Sequence, residues 1–126
     1  MNPSYQLERS QQRITVEGVT YTAAEIDHIS LPESTPEMAH FVEELKCFLQ
    51  EWFDPSPTLT VHTSGSTGVP KALCVRKAQM IASAQMTCRY LGLQAGDSAL
   101  LCMPLRYIAG KMVVVRTLVA QLDLRL

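Results

Sequence analysis

The sequence predicts an α/β fold, and three observations carry that prediction. A tract of glycines and small hydroxylated residues, 63–71, sits between two runs of β-formers. Leu59, Thr60 and Val61 precede it and Ala72, Leu73, Cys74 and Val75 follow, so the tract is expected at the tip of a strand-loop-strand unit. From the second strand of that unit onward, strand, helix, strand, helix and strand patterns alternate, an order that builds a parallel layer in the second half of the chain. Ahead of it, apolar residues recur at helical spacing from Met38 to Trp52. With 47% hydrophobic and 18% charged residues in 126, the composition is that of one modest folded domain and excludes disorder.

Taken in order, residues 1–13 are polar and expected to fray. Ile14, Thr15 and Val16, then Val19, Thr20 and Tyr21, flank Glu17 and Gly18, a two-residue turn that predicts a hairpin. Thr22 and Glu25 have capping-box spacing, compatible with a short helical turn and equally with a loop. Residues 31–36 hold two prolines without periodicity and read as a connector. Thr35 as N-cap and Pro36 at the first helical position start a helix. Its stripe of Met38, Phe41, Val42, Leu45, Phe48, Leu49 and Trp52 is assigned to the core, because Glu43, Glu44, Lys46 and Glu51 occupy the other face. Trp52 is expected to anchor on the sheet, and Asp54, Pro55, Ser56 and Pro57 end the helix.

After the loop unit, residues 78–91 read as a helix in which Ala82, Ala84 and Cys88 permit close packing and Gly92 supplies the C-terminal cap. Residues 99–103 are expected as a short buried strand stopped by Pro104. Within 109–121, Val113, Val114 and Val115 favour a strand, while the length and the recurrence of Met112, Val115, Leu118 and Val119 favour a buried helix. Residues 122–126 alternate like a strand, and the sequence stops there in mid-pattern, as a fragment would. A last strand without its neighbours would expose an edge or an apolar patch, so self-association of the fragment is expected.

The loop itself points to polyphosphate binding. Its glycines allow positive φ, so that successive backbone N–H groups from Gly65 to Gly68 can face one anion, and four hydroxyls add donors without bulk. Lys71 brings a compact, mobile cation suited to phosphate. Such composition alone would also describe a flexible linker; the flanking strands argue against that. It is not a Walker loop, because Pro70 precedes the lysine and Ala72 follows it, leaving no hydroxyl there for Mg²⁺.

Charge is unevenly divided: residues 1–70 hold 3 Lys/Arg and 10 Asp/Glu, net −7, and residues 71–126 hold 8 and 2, net +6. A basic half beside the loop favours anionic ligands, and no basic cluster with interleaved aromatics suggests nucleic acid. The longest apolar run, residues 112–122, contains Arg116 and is too short to span a bilayer, and the first residues show no charged stretch followed by an apolar one, so secretion is not expected. Cys47, Cys74, Cys88 and Cys102 are widely spaced, with no metal-ligand pattern, and read as free thiols in a reducing cytoplasm. His28, His40 and His62 show no catalytic spacing.

The run Thr-Ser-Gly-Ser-Thr-Gly-x-Pro-Lys at 63–71 resembles the phosphate loop of the adenylate-forming superfamily, which comprises acyl- and aryl-CoA synthetases, peptide-synthetase adenylation domains and luciferases. Gly92, Leu93, Gly96, Asp97 and the stretch 101–105 are similar too. Within that superfamily, residues 103–110 with Arg116 are most similar to the o-succinylbenzoate-CoA ligases of menaquinone biosynthesis. The resemblance runs from about Phe48 onward.

It implies the N-terminal portion of the large domain of an AMP-binding enzyme, truncated, with the C-terminal lid absent. The implied activity is ligation: a substrate carboxylate attacks the α-phosphate of MgATP, pyrophosphate leaves, and the thiol of coenzyme A captures the acyl-adenylate. Thr63, Ser64, Gly65, Ser66, Thr67, Gly68 and Lys71 inherit the role of holding the β- and γ-phosphates. Tyr107 stands where many members carry a histidine between the acyl and nucleotide sites, and an aromatic can keep that wall without taking a proton. Tyr107, Lys111 and Arg116 are the acid-side candidates, with Arg106 beside them. No catalytic residue or metal ligand is assigned, and the fragment alone is expected to be inactive. A general acyl- or aryl-CoA ligase, or a phosphate-binding module without chemistry, would share the loop.

Overall fold

The computed structural model describes residues 12–31, 35–63, 69 and 71–126. Strands β1 (Arg13–Val16) and β2 (Val19–Thr22) form an antiparallel hairpin in which Val16 faces Val19. Glu17 and Gly18 both take positive φ, 48° and 82°, as a two-residue turn between right-twisted strands requires. Gln12, expected to fray, is instead buried and accepts a hydrogen bond from the Trp52 indole at 3.0 Å. Covering that indole N–H is what draws the first described residues inward. A 3₁₀ turn, Ala23–His28, follows. The Glu25 carboxylate accepts from the Thr22 amide and hydroxyl, both at 3.0 Å, and these bonds hold it below the usual carboxylate range.

Helix α1 spans Pro36–Phe53, with the Thr35 hydroxyl accepting from the Met38 amide at 3.2 Å. Its stripe buries Val42, Leu45, Phe48, Leu49, Trp52 and Phe53, while Met38 and Phe41 remain half-buried. Strands β3 (Thr58–Thr63) and β4 (Lys71–Arg76) pair antiparallel from Thr58 opposite Arg76 to Thr63 opposite Lys71. Leu59 and Val61 point into the core, and β4 is exposed apart from half-buried Val75.

Helix α2, Lys77–Leu91, ends at Gly92 with φ 67°. It begins on a lysine that is 1% exposed: the Lys77 ammonium donates to the Asp54 carboxylate at 2.8 Å and to the Asp54 carbonyl at 3.1 Å. The Lys77 amide donates to the Pro57 carbonyl, so the end of α1 and the base of the β3–β4 hairpin are tied together. Ala84 and Cys88 are buried, but Ala82 is exposed. Burial raises the Cys88 thiol pKa, and all four cysteines are free.

Strand β5 (Ser98–Leu100), helix α3 (Ile108–Ala120) and strand β6 (Asp123–Arg125) complete the chain. One sheet has the order β2-β1-β6-β5, with β6 parallel to both β1 and β5. α3 packs against α2 and against β1, β3, β5 and β6. Burial of Val114, Val115 and Leu118 there overrides the strand propensity of the valines.

Three expectations are corrected. β4 does not join the parallel layer, because its backbone partner is β3 and the two form a separate sheet. Strand pairing covers Ser98–Leu100 and not residues 99–103; β5 is an edge, with Leu100 64% exposed. β6 is no orphan edge, since β1 from the N-terminal hairpin occupies its other side and Leu124 is fully buried. The connector residues 32–34 lie outside the described residues.

Candidate functional site

The register of the β3–β4 hairpin places the two described ends of the loop side by side. Thr63 closes β3 and Lys71 opens β4 as paired residues, and Lys71 is exposed and free of ion pairs among the described residues. Ser64, Gly65, Ser66, Thr67, Gly68 and Pro70, expected in the phosphate loop, lie outside the described residues, and Val69 is exposed.

Below Thr63 the structure supplies a wall. A parallel bridge joins His62 to Tyr107, the residue that precedes α3, and this contact carries the turn at 103–107 to the end of β3. Thr63, Met103, Pro104, Tyr107 and Ile108 line a mainly apolar cavity of about 260 Å³. Half-buried Tyr107 lies under the Arg106 guanidinium, 5.1 Å from the ring centroid. A hydroxyl at the rim, a cation across the strand pair and an apolar floor suit a ligand with an anionic and a carbon-rich end.

The turn's position depends on Gly110. A Cβ built there would run into the Pro104 carbonyl oxygen and lie 3.0 Å from that of Met103, so α3 approaches the turn at a distance that only glycine permits. Gly110→Ala is therefore expected to destabilise the chain by about 2 kcal/mol and to move the turn away from Thr63. Urea unfolding checks the first effect, and an unchanged midpoint would mean that the helix shifts freely.

Lys111 and Arg116 are not brought to this cavity. The Lys111 side chain faces α1 in a second cavity of about 270 Å³ shared with Glu43, Glu44, Cys47, Phe48 and Glu51. Its ammonium donates to the Leu105 carbonyl at 2.5 Å and lies 5.5 Å from the Phe48 ring centroid. Burial lowers its pKa, opposed by the carboxylates of Glu51 and Glu44. Arg116 lies where α3 meets α2. There its carbonyl accepts from the Cys88 thiol, and its Nε is buried without a hydrogen-bond partner among the described residues.

Sequence reasoning missed Gly110, Met103 and Pro104 as the parts that shape the cavity. A lone glycine inside an apolar helical segment was the available signal for the first of them. No group of three His, Cys, Asp or Glu among the described residues could hold a metal ion. No helix among them is long and apolar enough to cross a membrane.

No protein-family model matches the chain. It is 33% identical, over 127 aligned positions covering 98% of its length, to a 2-succinylbenzoate–CoA ligase of Enterococcus faecalis. A protein of the same description from Bacillus mycoides is 36% identical over 66 residues. Among solved structures, an acyl-CoA synthetase (AMP-forming)/AMP-acid ligase II-like protein from Dyadobacter fermentans matches with a TM-score of 0.65 and 34% identity over 81% of the chain. The chain spans 25% of the Enterococcus protein, 14% of the Bacillus protein and 28% of the Dyadobacter chain.

Proposed function

From a chain homologous to 2-succinylbenzoate–CoA ligases and folded like part of an AMP-forming acyl-CoA synthetase, we propose the phosphate-binding portion of an ATP-dependent acid–thiol ligase. Residues 1–126 would be the N-terminal part of its AMP-binding domain. The observation that carries this reading is the similarity to the Enterococcus ligase along 98% of the chain. The proposed acid is o-succinylbenzoate and the proposed thiol is coenzyme A, in menaquinone biosynthesis. Four free cysteines accord with a cytoplasmic setting.

In this reading ATP supplies the phosphorus that the acid's carboxylate attacks, and pyrophosphate departs. Thr63, Ser64, Gly65, Ser66, Thr67, Gly68 and Lys71 hold the leaving phosphates, and the charge that develops there is met by the Lys71 ammonium. The described ends of the loop support such a ligand, as a hydroxyl and a cation that makes no ion pair among the described residues lie across one strand pair. The Mg²⁺ that accompanies ATP finds no ligand set among the described residues. Tyr107 walls the acid's cavity, where its ring offers a face to orient the acid. Arg116 sits apart from the cavity, so the acid-side reading rests on Tyr107.

The test is ATP–pyrophosphate exchange by the longer protein to which the chain is proposed to belong. Exchange stimulated by o-succinylbenzoate is the expected result. Stimulation only by fatty or benzoic acids would replace the acid and keep the ligase. Phosphate binding with no exchange for any acid would leave a binding module.

A further inference from the structure

Lys111 is 8% exposed, and it is not among the residues that line the cavity below Thr63. One of its three donors is committed to the Leu105 carbonyl at 2.5 Å, and the side chain lines the cavity against α1 and not the one that Tyr107 lines. The carboxylates of Glu43, Glu44 and Glu51 also line its cavity and would repel a dicarboxylate. Among the described residues that line this cavity, the other charged group is Arg106, which stacks on Tyr107, and the other titratable group is Cys47.

What the ammonium holds is the turn. Leu105 is 2% exposed, so its carbonyl is removed from solvent and needs a donor from within the protein. Backbone bonding inside the turn is weak, with the Tyr107 amide donating to the Pro104 carbonyl at 3.4 Å. Lys111 meets the turn a second time, through its own amide to the Tyr107 carbonyl at 3.2 Å. On its outer side the ammonium rests over the Phe48 ring of α1.

We propose that Lys111 is a positioning residue, which ties the Leu105 carbonyl to α1 and thereby fixes Pro104 and Tyr107 against Thr63. This role stands in place of substrate contact. It rests on the ligase reading only for the identity of the ligand that Tyr107 meets.

Amide hydrogen exchange of the 126-residue chain tests it. In Lys111→Met the stem still fills the space but donates nothing, and the amides of Leu105, Arg106 and Tyr107 should exchange about tenfold faster, as loss of a charged hydrogen bond to a local segment implies. The amides of the remote β1–β2 hairpin should keep their rates, and Lys111→Arg should restore slow exchange. Unchanged rates at 105–107, an equal rise throughout the chain, or no rescue by arginine would overturn the proposal. If the methionine variant does not fold, Lys111→Gln takes its place. Its amide lacks the charge and the reach, so faster exchange at 105–107 is again expected and wild-type rates there refute the role. Exchange that follows this pattern in a protein without ligase activity would separate the two readings, refuting the ligase and keeping the positioning role.

Discussion

Replacing Lys71 with alanine is expected to slow adenylation by the proposed longer ligase about a hundred- to a thousandfold, equivalent to about 3–4 kcal/mol for one preorganised donor to a developing charge. Thioester formation from preformed acyl-adenylate should change little, because the proposed role gives the cation to the departing pyrophosphate and not to the thiol. Lys71 is exposed and makes no ion pair among the described residues, so its loss leaves the fold intact and the effect is read in the chemistry. Its placement opposite Thr63 in the strand register keeps the charge at the mouth of the loop without any packing of its own. Single-turnover measurement of each half-reaction decides the matter. Equal slowing of both, or less than about tenfold on the first, would remove Lys71 from the phosphate site.

Local chemistry made most elements legible. Glu17 and Gly18 announced the first hairpin, Thr35 and Pro36 the start of α1, and Gly92 the end of α2, because turns and caps are decided by the residues that form them. Partners distant in sequence were not legible. That β1 lies beside β6, and that β4 stays outside the larger sheet, follow from packing between segments far apart in the chain. Lys77 shows the same limit in one side chain. A lysine at the start of a helix reads as solvated, and only the fold brings Asp54 within 2.8 Å of it. At the candidate site the loop was read from its motif, whereas the cavity beneath it depends on a close approach of Gly110 to Pro104 that no local rule encodes. Lys111 was grouped with the acid-side residues as a cation that could meet a carboxylate of the acid. Tyr107 at the N-cap of α3 and Lys111 in its first turn line different cavities.

Phe48→Ala is expected to cost about 3–5 kcal/mol, the range for removing a large aromatic from a closed core. The ring is 2% exposed and lies 6.0 Å from the Trp52 ring, at a tilt of 39°. It also forms the floor beneath the Lys111 ammonium, so its loss removes a cation–π contact as well as dispersion and burial. Collapse into the space is hindered because Leu45, Leu49 and Trp52 are held on the same helix with almost no exposure. For a chain of this size the cost is a large share of the total stability of about 5–15 kcal/mol. Trp52, the single tryptophan, supplies the readout. Its emission should shift to the red and its urea midpoint should fall, with the unfolding slope preserved. A loss below about 1 kcal/mol would show that the core closes over the gap and that Phe48 is not the packing centre of α1. Phe48→Leu, which keeps most of the volume and loses the ring, separates the two contributions. Near-full stability with faster amide exchange at 105–107 would assign the ring to holding Lys111, and lost stability with unchanged exchange would assign it to the core alone.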